Sequence, residues 1–107
     1  MTQSPLSALA TMLTIRRFEE KVDELFTSGV IKGTSHLYAG QEAVAVGVCS
    51  ILSNDDLVTS THRGHGHFIA KGGKPDALMA ELFGKVTGPS KGRGGSQNVA
   101  DYSVGFL

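Results

Sequence analysis

The 107 residues of this chain, 40% of them hydrophobic, suffice for one small folded unit. Ten lysines and arginines balance ten aspartates and glutamates, which argues against a nucleic-acid-binding surface, because phosphate neutralisation requires an excess of basic side chains on one face. The single cysteine, Cys49, excludes a disulfide framework and favours a reducing, cytoplasmic location. No stretch approaches the roughly 20 apolar residues of a membrane helix, so we expect no membrane segment.

The N-terminal quarter of the chain is typical of one long amphipathic helix. Ser4 and Pro5 fit a cap and a first helical residue, and the pattern ends at Gly29. The charged residues from Arg16 to Glu24 are predicted to form a solvated face with pairs inside the helix. The apolar residues that recur at helical spacing are Leu6, Leu9, Leu13, Val22 and Phe26.

The next two segments are strongly apolar. Residues Gln41 to Leu52 contain few polar side chains, which predicts a helix buried on nearly all sides, and part of its surface is expected to need a partner. Glu42 stands at the start of this helix, where it complements the helix dipole, so a structural role is favoured over one as a general base. Residues Leu57 to Thr61 are short and rich in β-branched side chains, which predicts a buried strand.

Glycines, concentrated after residue 60, divide the rest of the chain. Phe68 to Lys71 is predicted to form one or two helical turns closed by Gly72, and Pro75 to Phe83 a helix ended by Gly84. Lys91-Gly92-Arg93-Gly94-Gly95-Ser96 then forms a basic glycine loop whose backbone amides could surround a phosphate or a carboxylate. Without a following helix and a Lys-Ser/Thr pair, this loop is not a nucleotide P-loop.

The predicted strand runs directly into Thr61-His62-Arg63-Gly64-His65-Gly66-His67. A side-chain cation and the free N–H groups of a helix start would lie together there, and Arg63 can hold a phosphate with two N–H groups, so an anion site is predicted. A competing interpretation has His62, His65 and His67 ligating zinc, although His65 and His67 alternate around Gly66 and do not lie one helical turn apart. In a third interpretation the histidines are ordinary loop residues.

Taken in order, these segments resemble the alpha subunit of the decarboxylating component of 2-oxo acid dehydrogenases, and within it the acetoin and pyruvate branch. The agreement of order and spacing spans nearly the whole chain. The matching segments are Arg17-Phe18-Glu19-Glu20, His36-Leu37-Tyr38-Ala39-Gly40-Gln41-Glu42-Ala43, Ser60-Thr61-His62-Arg63-Gly64-His65-Gly66-His67, Ala80-Glu81-Leu82-Phe83-Gly84-Lys85 and Lys91-Gly92-Arg93-Gly94-Gly95-Ser96.

The resemblance implies an α/β, thiamine-diphosphate-binding fold, mostly helical here with a short parallel-type strand, of which residues 1–107 would be the N-terminal part of a single domain. It implies that His62 and Arg63 face the cofactor diphosphate and that His65 is a catalytic residue near the substrate. A beta subunit would supply the glutamate that activates the thiamine ring, giving an α2β2 hetero-oligomer. A lipoyl-bearing acyltransferase would receive the acyl unit.

Two departures from the family pattern bear on function. Gln97-Asn98 stand where the family usually has Met-His, so a histidine near the active-site entrance is absent. The Gly-Asp-Gly motif and the later Asn that hold magnesium in the family would lie beyond residue 107. Two further interpretations therefore stay open beside zinc binding: an alpha subunit that cleaves acetoin or a 2-oxo acid such as pyruvate, and a catalytically silent subunit-interaction module.

Overall fold

The computed structural model describes residues 4–31, 37 and 39–107, and this part of the chain is mostly helical, as predicted. The helices α1, α2 and α3 pack against one another. None of the helices in the described ranges is both long enough and apolar enough to cross a bilayer. The helices are α1 (Pro5–Thr27), α2 (Glu42–Cys49), α3 (His65–Ala70) and α4 (Pro75–Leu82), followed by a 3-10 turn at Tyr102–Val104.

The ends of α1 follow from local chemistry. The Ser4 hydroxyl accepts a hydrogen bond from the N–H of Ser7 at 3.1 Å, and Pro5 occupies the first turn, where its missing N–H costs nothing. The helix ends at Thr27, and Gly29 follows in the left-handed region at φ 81°. The predicted cap and end of this helix are therefore confirmed.

Burial along α1 differs from the prediction in two ways. Its second half faces the core, whereas the three leucines of the first half, which the helical spacing assigns to the apolar face, are exposed. The charged face is also not wholly solvated, because Glu19 has no exposed surface. The buried residues are Ile15, Phe18, Glu19 and Val22, and the exposed leucines are Leu6, Leu9 and Leu13.

Helix α2 is shorter than predicted and is buried on one side only. Ala45, Val46 and Cys49 face the core, where burial raises the pKa of the Cys49 thiol. Val44 and Val48 are more than half exposed, as is Ile51 just beyond the helix. The prediction of burial on nearly all sides is therefore wrong for this chain, because α1 and α3 cover a single side of the helix.

The predicted strand at Leu57 to Thr61 is reduced to one bridge. Val58 pairs in parallel with Phe106: the N–H of Val58 donates to Gly105 O at 2.8 Å, and the N–H of Leu107 donates to Val58 O at 2.9 Å. A strand requires a row of such bonds along a neighbour, and only residues 105–107 lie alongside in the described chain. The strand and the α/β class are therefore not confirmed.

The two helices after the bridge are close to their predicted ranges. Helix α3 begins at His65, three residues earlier than predicted, so His65 to His67 form its first turn. It is closed by Gly72 at φ 113°, and α4 is followed by Gly84 at φ 72°. Both glycine terminators predicted from the sequence are therefore confirmed.

A small apolar core holds these elements together. Phe68 and Phe106 meet edge to face with ring centroids 5.5 Å apart, which joins α3 to the end of the chain. The buried Lys71 ammonium reinforces this junction by donating to Ser53 O at 2.7 Å and to Val104 O. The core residues are Ile15, Phe18, Val22, Ile31, Ala45, Val46, Phe68, Ile69, Leu78, Leu82, Val99 and Phe106.

Glu42 connects α1 to the start of α2. The Arg16 guanidinium donates to both of its carboxylate oxygens, at 2.7 Å from Nε and 3.1 Å from Nη2, and the N–H of Gly40 donates to Oε2 at 2.9 Å. The Arg16 hydrogen bond is the main reason that the pKa of Glu42 falls from 4.5 to about 2, because it outweighs the effect of burial. The structural role predicted for Glu42 is confirmed.

We predict that Glu42→Gln lowers the free energy of unfolding by roughly 1–2 kcal/mol at neutral pH, since it weakens a two-pronged charge-assisted contact. Because the folded-state pKa is depressed, the wild-type advantage is present above pH 4.5 and is lost as the pH falls toward 2. Urea unfolding across this pH range measures the difference.

The matched control is Glu24→Gln, since Glu24 also pairs with a cation, Lys21 at 2.6 Å, but both side chains are exposed. We expect this change to cost less than about 0.5 kcal/mol. Equal losses in the two variants, or a Glu42→Gln difference that does not shrink in acid, would contradict the assignment.

Candidate functional site

The predicted anion-binding segment lies between the Val58 bridge and α3, on the surface of the molecule. Arg63 is exposed, and its Nη1 donates to Leu37 O at 2.7 Å. His62 beside it is also exposed. The structure thus brings the arginine of this motif onto the backbone of the motif at residues 36–43, of which His36 and Tyr38 lie outside the described residues. A guanidinium has five N–H donors, so this contact does not use its full hydrogen-bonding capacity.

His65, predicted to lie near the substrate, has no exposed surface. Its Nδ1 lies 2.6 Å from Glu19 Oε1, and its Nε2 lies 2.8 Å from Ser96 Oγ. The Phe18 ring meets the imidazole edge to face at 5.8 Å between centroids. The structure therefore places His65 between α1 and the glycine loop. His65 follows Arg63 by two residues in the sequence.

The order carboxylate, imidazole, hydroxyl is also that of the serine hydrolase triad, but this site lacks the other requirements of that chemistry. Such an enzyme needs an accessible hydroxyl and two N–H groups aimed at a developing oxyanion. Ser96 is only 9% exposed, and the N–H groups of Gly94 and Gly95 before it are donated to Glu81. The geometry favours a buried connection between segments over a nucleophile.

The glycine loop is built around the carboxylate of Glu81, which has no exposed surface. Burial opposes ionisation, but the N–H groups outweigh it together and hold the pKa of Glu81 below its ordinary value of 4.5. The predicted cluster of amides around a carboxylate is confirmed, and the carboxylate belongs to the chain itself. The donors are the N–H groups of Ser90 (2.7 Å), Gly92 (3.1 Å), Gly94 (2.8 Å) and Gly95 (3.1 Å).

Two glycines of this loop are required by close backbone approach. A Cβ on Gly92, whose φ is 81°, would lie 2.5 Å from the carbonyl of Gly84, and one on Gly94 would lie 2.4 Å from Asn98 O. Any side chain at either position would displace the backbone that carries the donors to Glu81. Glycine is therefore required at these two positions for the loop backbone to surround the Glu81 carboxylate.

The zinc hypothesis is wrong for the described residues, which include all three of its candidate ligands. The imidazole of His67 points to the Ser60 hydroxyl, 2.5 Å from its Nδ1, whereas His65 points to Glu19 and Ser96 and His62 is exposed. No group of three histidine, cysteine or acidic side chains converges anywhere in the described ranges. Burial lowers the pKa of His67, so this ring is neutral at neutral pH.

Residues 60–64, here called the Arg63 loop, and the end of the glycine loop line a small polar cleft of about 20 Å³. Thr61 and Gly64 line one side, and Ser96 and Gln97 line the other. A wider open groove of about 530 Å³ lies between α1 and α4, lined largely by apolar side chains such as Leu13 and Met79. That groove contains none of the predicted site residues, so we place the candidate site at the smaller cleft.

Sequence reasoning missed Glu19, Glu81 and Ser96. The two glutamates carry a readable signal, since Glu19 falls on the face of Ile15, Phe18 and Val22, and Glu81 on the face of Leu78 and Leu82. An acidic residue at a core-facing position of an amphipathic helix indicates a buried carboxylate that needs donors. Ser96 carries no comparable signal.

We predict that Glu81→Gln lowers the free energy of unfolding by roughly 2–4 kcal/mol, because the amide NH2 group would face N–H donors and leave them unpaired. Since the pKa of Glu81 is depressed, the wild-type contribution is present above pH 4.5 and is lost as the pH falls through the lower folded-state value. Urea unfolding at neutral and acidic pH tests both statements.

Glu20→Gln is the matched control for this change. Glu20 is exposed and meets Arg17 only at 3.4 Å, so its loss is expected to stay within about 0.5 kcal/mol. If both variants unfold alike at neutral pH, the glycine loop does not depend on the Glu81 charge.

Comparison with known proteins agrees with this arrangement of motifs. Residues 10–105 match the family model described as Dehydrogenase E1 component. The chain is 62% identical over 96 residues to the alpha subunit of acetoin:2,6-dichlorophenolindophenol oxidoreductase of Bacillus subtilis, covering 90% of this chain and 29% of that protein. It is 49% identical over 102 residues to the same subunit of Cupriavidus necator, covering 95% and 31%.

A third relative is the alpha subunit of the pyruvate dehydrogenase E1 component of Rhizobium meliloti, 47% identical over 97 residues, with 91% of this chain and 28% of that protein covered. The chain thus spans less than a third of the length of these relatives. Because the family model matches nearly all of its residues, the chain belongs to the Dehydrogenase E1 component family.

Proposed function

We propose that the chain is part of the alpha subunit of a thiamine-diphosphate-dependent dehydrogenase that cleaves acetoin or a 2-oxo acid such as pyruvate. The observation that carries the proposal is the exposed guanidinium of Arg63, which donates to Leu37 O and so lies where two family motifs meet. Acetoin is favoured over pyruvate because the two acetoin chains are 62% and 49% identical to this one, against 47% for the pyruvate chain.

The described residues fit one part of the cofactor. In the proposal Arg63 and His62 contact the diphosphate, whose negative charge suits a guanidinium with further N–H groups to donate. The glycine loop does not offer the amides of Gly92, Gly94 and Gly95, since these three are donated to Glu81. Thiamine diphosphate, when bound, supplies the electron sink for breaking the carbon–carbon bond next to the carbonyl.

Magnesium is the second cofactor of the proposal. Within the described residues no group of three histidine, cysteine or acidic side chains converges, so its ligands would lie elsewhere in the protein. A diphosphate held by Arg63 alone keeps much of its charge, and a divalent cation is the usual means of neutralising the rest. Residues of the protein that follow position 107 are the proposed source of these ligands.

His65 differs from Arg63 and His62 because it is buried. A catalytic role in contact with the substrate stays a prediction, and the buried ring with both nitrogens engaged favours a role behind the cleft. Catalysis by this ring would require one of its two nitrogens to be released, Nε2 from the Ser96 hydroxyl or Nδ1 from Glu19.

The proposed partners are a beta subunit, in an α2β2 assembly, and a lipoyl-bearing acyltransferase that receives the acyl unit. The exposed apolar side chains of α1 and α2 support contacts with another chain or with further residues of the same protein, since contiguous exposed apolar patches commonly mark interaction surfaces. A cytoplasmic location belongs to the same proposal and rests on the single, unpaired Cys49.

The second candidate is a catalytically silent subunit-interaction module. The observation that favours it is the exposed apolar pair Val44 and Val48, which lie one turn apart on α2, together with the exposed Ile51 just beyond the helix. Titration of thiamine diphosphate with magnesium into this chain and into the full-length protein separates the candidates. Binding by the full-length protein supports the enzyme, and its failure to bind even with a beta subunit supports the silent module.

We predict that Arg63→Ala in the full-length protein weakens binding of thiamine diphosphate about tenfold to a hundredfold, because one charge-assisted contact with two N–H groups is lost. The fold should persist, since the side chain is exposed and fills no core volume. Isothermal titration with magnesium present measures the affinity, and circular dichroism follows the fold.

Arg17→Ala is the matched control, since Arg17 is an exposed arginine, 80% accessible, that pairs only with Glu20 in the structure. Its removal should leave cofactor affinity unchanged. An Arg63→Ala protein that binds the cofactor as the wild type does would contradict the proposed site.

A further inference from the structure

We infer that Glu19 and Ser96 are positioning residues which, acting through His65, hold the segment that carries Arg63 in place and so set the affinity for a diphosphate. This inference rests on the proposed function, since it concerns how the same cleft is held. It assigns a task to a buried acid, a buried imidazole and a buried hydroxyl that the proposed chemistry does not use.

The three side chains form a continuous line through the interior. Glu19 and His65 have no exposed surface, and Ser96 is 9% exposed. The contacts measure 2.6 Å from Glu19 Oε1 to His65 Nδ1 and 2.8 Å from His65 Nε2 to Ser96 Oγ. They join α1, the first turn of α3 and the end of the glycine loop, segments separated by 46 and 31 positions in sequence.

The donors and acceptors give this line a direction. When Glu19 is ionised, its carboxylate only accepts hydrogen bonds, and the proton of a neutral His65 then lies on Nδ1. In the neutral ring Nε2 then presents a lone pair, and the Ser96 hydroxyl donates to it. Removing the carboxylate or the hydroxyl would therefore free the ring to take another tautomer or orientation.

The line ends at the candidate cleft. Ser96 and Gln97 form one wall, and Thr61 and Gly64, which flank the Arg63 segment, form the other. The contact from His65 to Ser96 bridges these two walls from behind, because His65 directly follows Gly64. This hydrogen bond therefore helps to hold the segment that carries Arg63, which lies two residues before His65.

Glu81 holds the rest of the glycine loop and cannot replace this bond. Its donors end at Gly95, one residue before Ser96, so it fixes the body of the loop and leaves the approach of Ser96 to α3 unspecified. A site held within fractions of an ångström requires such supporting contacts behind the groups that touch the ligand. The effect of losing one is expected in affinity more than in folding.

The test uses the full-length protein with its beta subunit and compares Ser96→Ala, Ser96→Thr and Glu19→Gln with the wild type. Thiamine diphosphate with magnesium is titrated into each, and the His65 ring nitrogens are followed by 1H–15N correlation. We expect Ser96→Ala to weaken binding about tenfold, and to shift the Nε2 resonance. Threonine, which keeps the hydroxyl, should restore affinity to within about threefold, and Glu19→Gln should weaken it even where the protein stays folded.

Ser90→Ala is the matched control. The Ser90 hydroxyl, just before the glycine loop, accepts a hydrogen bond from the N–H of Ala100 at 3.2 Å and does not contact His65. This variant should keep both the affinity and the ring resonances. If Ser96→Ala binds the diphosphate as the wild type does, or if Ser90→Ala weakens binding equally, the positioning role is overturned. Unchanged binding in Arg63→Ala would instead overturn the proposed function itself.

Discussion

The carboxylate of Glu81 is the point around which the C-terminal part of this chain is organised. It has no exposed surface, yet four backbone N–H groups hold its pKa below the ordinary value. A buried charge is tolerated only where its hydration is replaced by such donors. The glycine loop has few apolar side chains to bury, so its conformation depends on this internal anion. Ser96 directly follows Gly95, the last of these donors.

A second buried acid, Glu19, holds the segment that contains Arg63 and His65. Glu19 binds His65 from α1 and so fixes the first turn of α3, two residues after Arg63. The two motifs that resemble a cofactor site are therefore held from behind by two carboxylates, one for each loop. This arrangement explains why the proposed contacts are at the surface whereas the acids and the imidazole are not. It also engages the N–H groups of Gly92, Gly94 and Gly95, so the proposed diphosphate contacts fall to Arg63, His62 and residues outside the described ranges.

The parts of the structure that could be predicted are those set by neighbouring residues. The Ser4 cap, the ends at Gly72 and Gly84 and the cluster of amides in the glycine loop all depend on local backbone chemistry. The strand at Leu57 to Thr61 could not be predicted, because pairing depends on a distant neighbour and only residues 105–107 lie alongside. Burial of Glu19 and Glu81 was missed because charge was read as exposure, although helical period placed both acids on core faces. The identity of their donors depends on contacts across many residues, which periodicity does not report.

The central claim is that an ionised Glu81 holds the glycine loop by its backbone, and amide hydrogen exchange measures this most directly. The N–H groups of Ser90, Gly92, Gly94 and Gly95 lie in a loop, where exchange is ordinarily fast. If they are bound to Glu81, they should exchange as slowly as the backbone amides of α4, the helix that carries Glu81. Exchange of all four at the rate of unprotected loop amides would contradict the account.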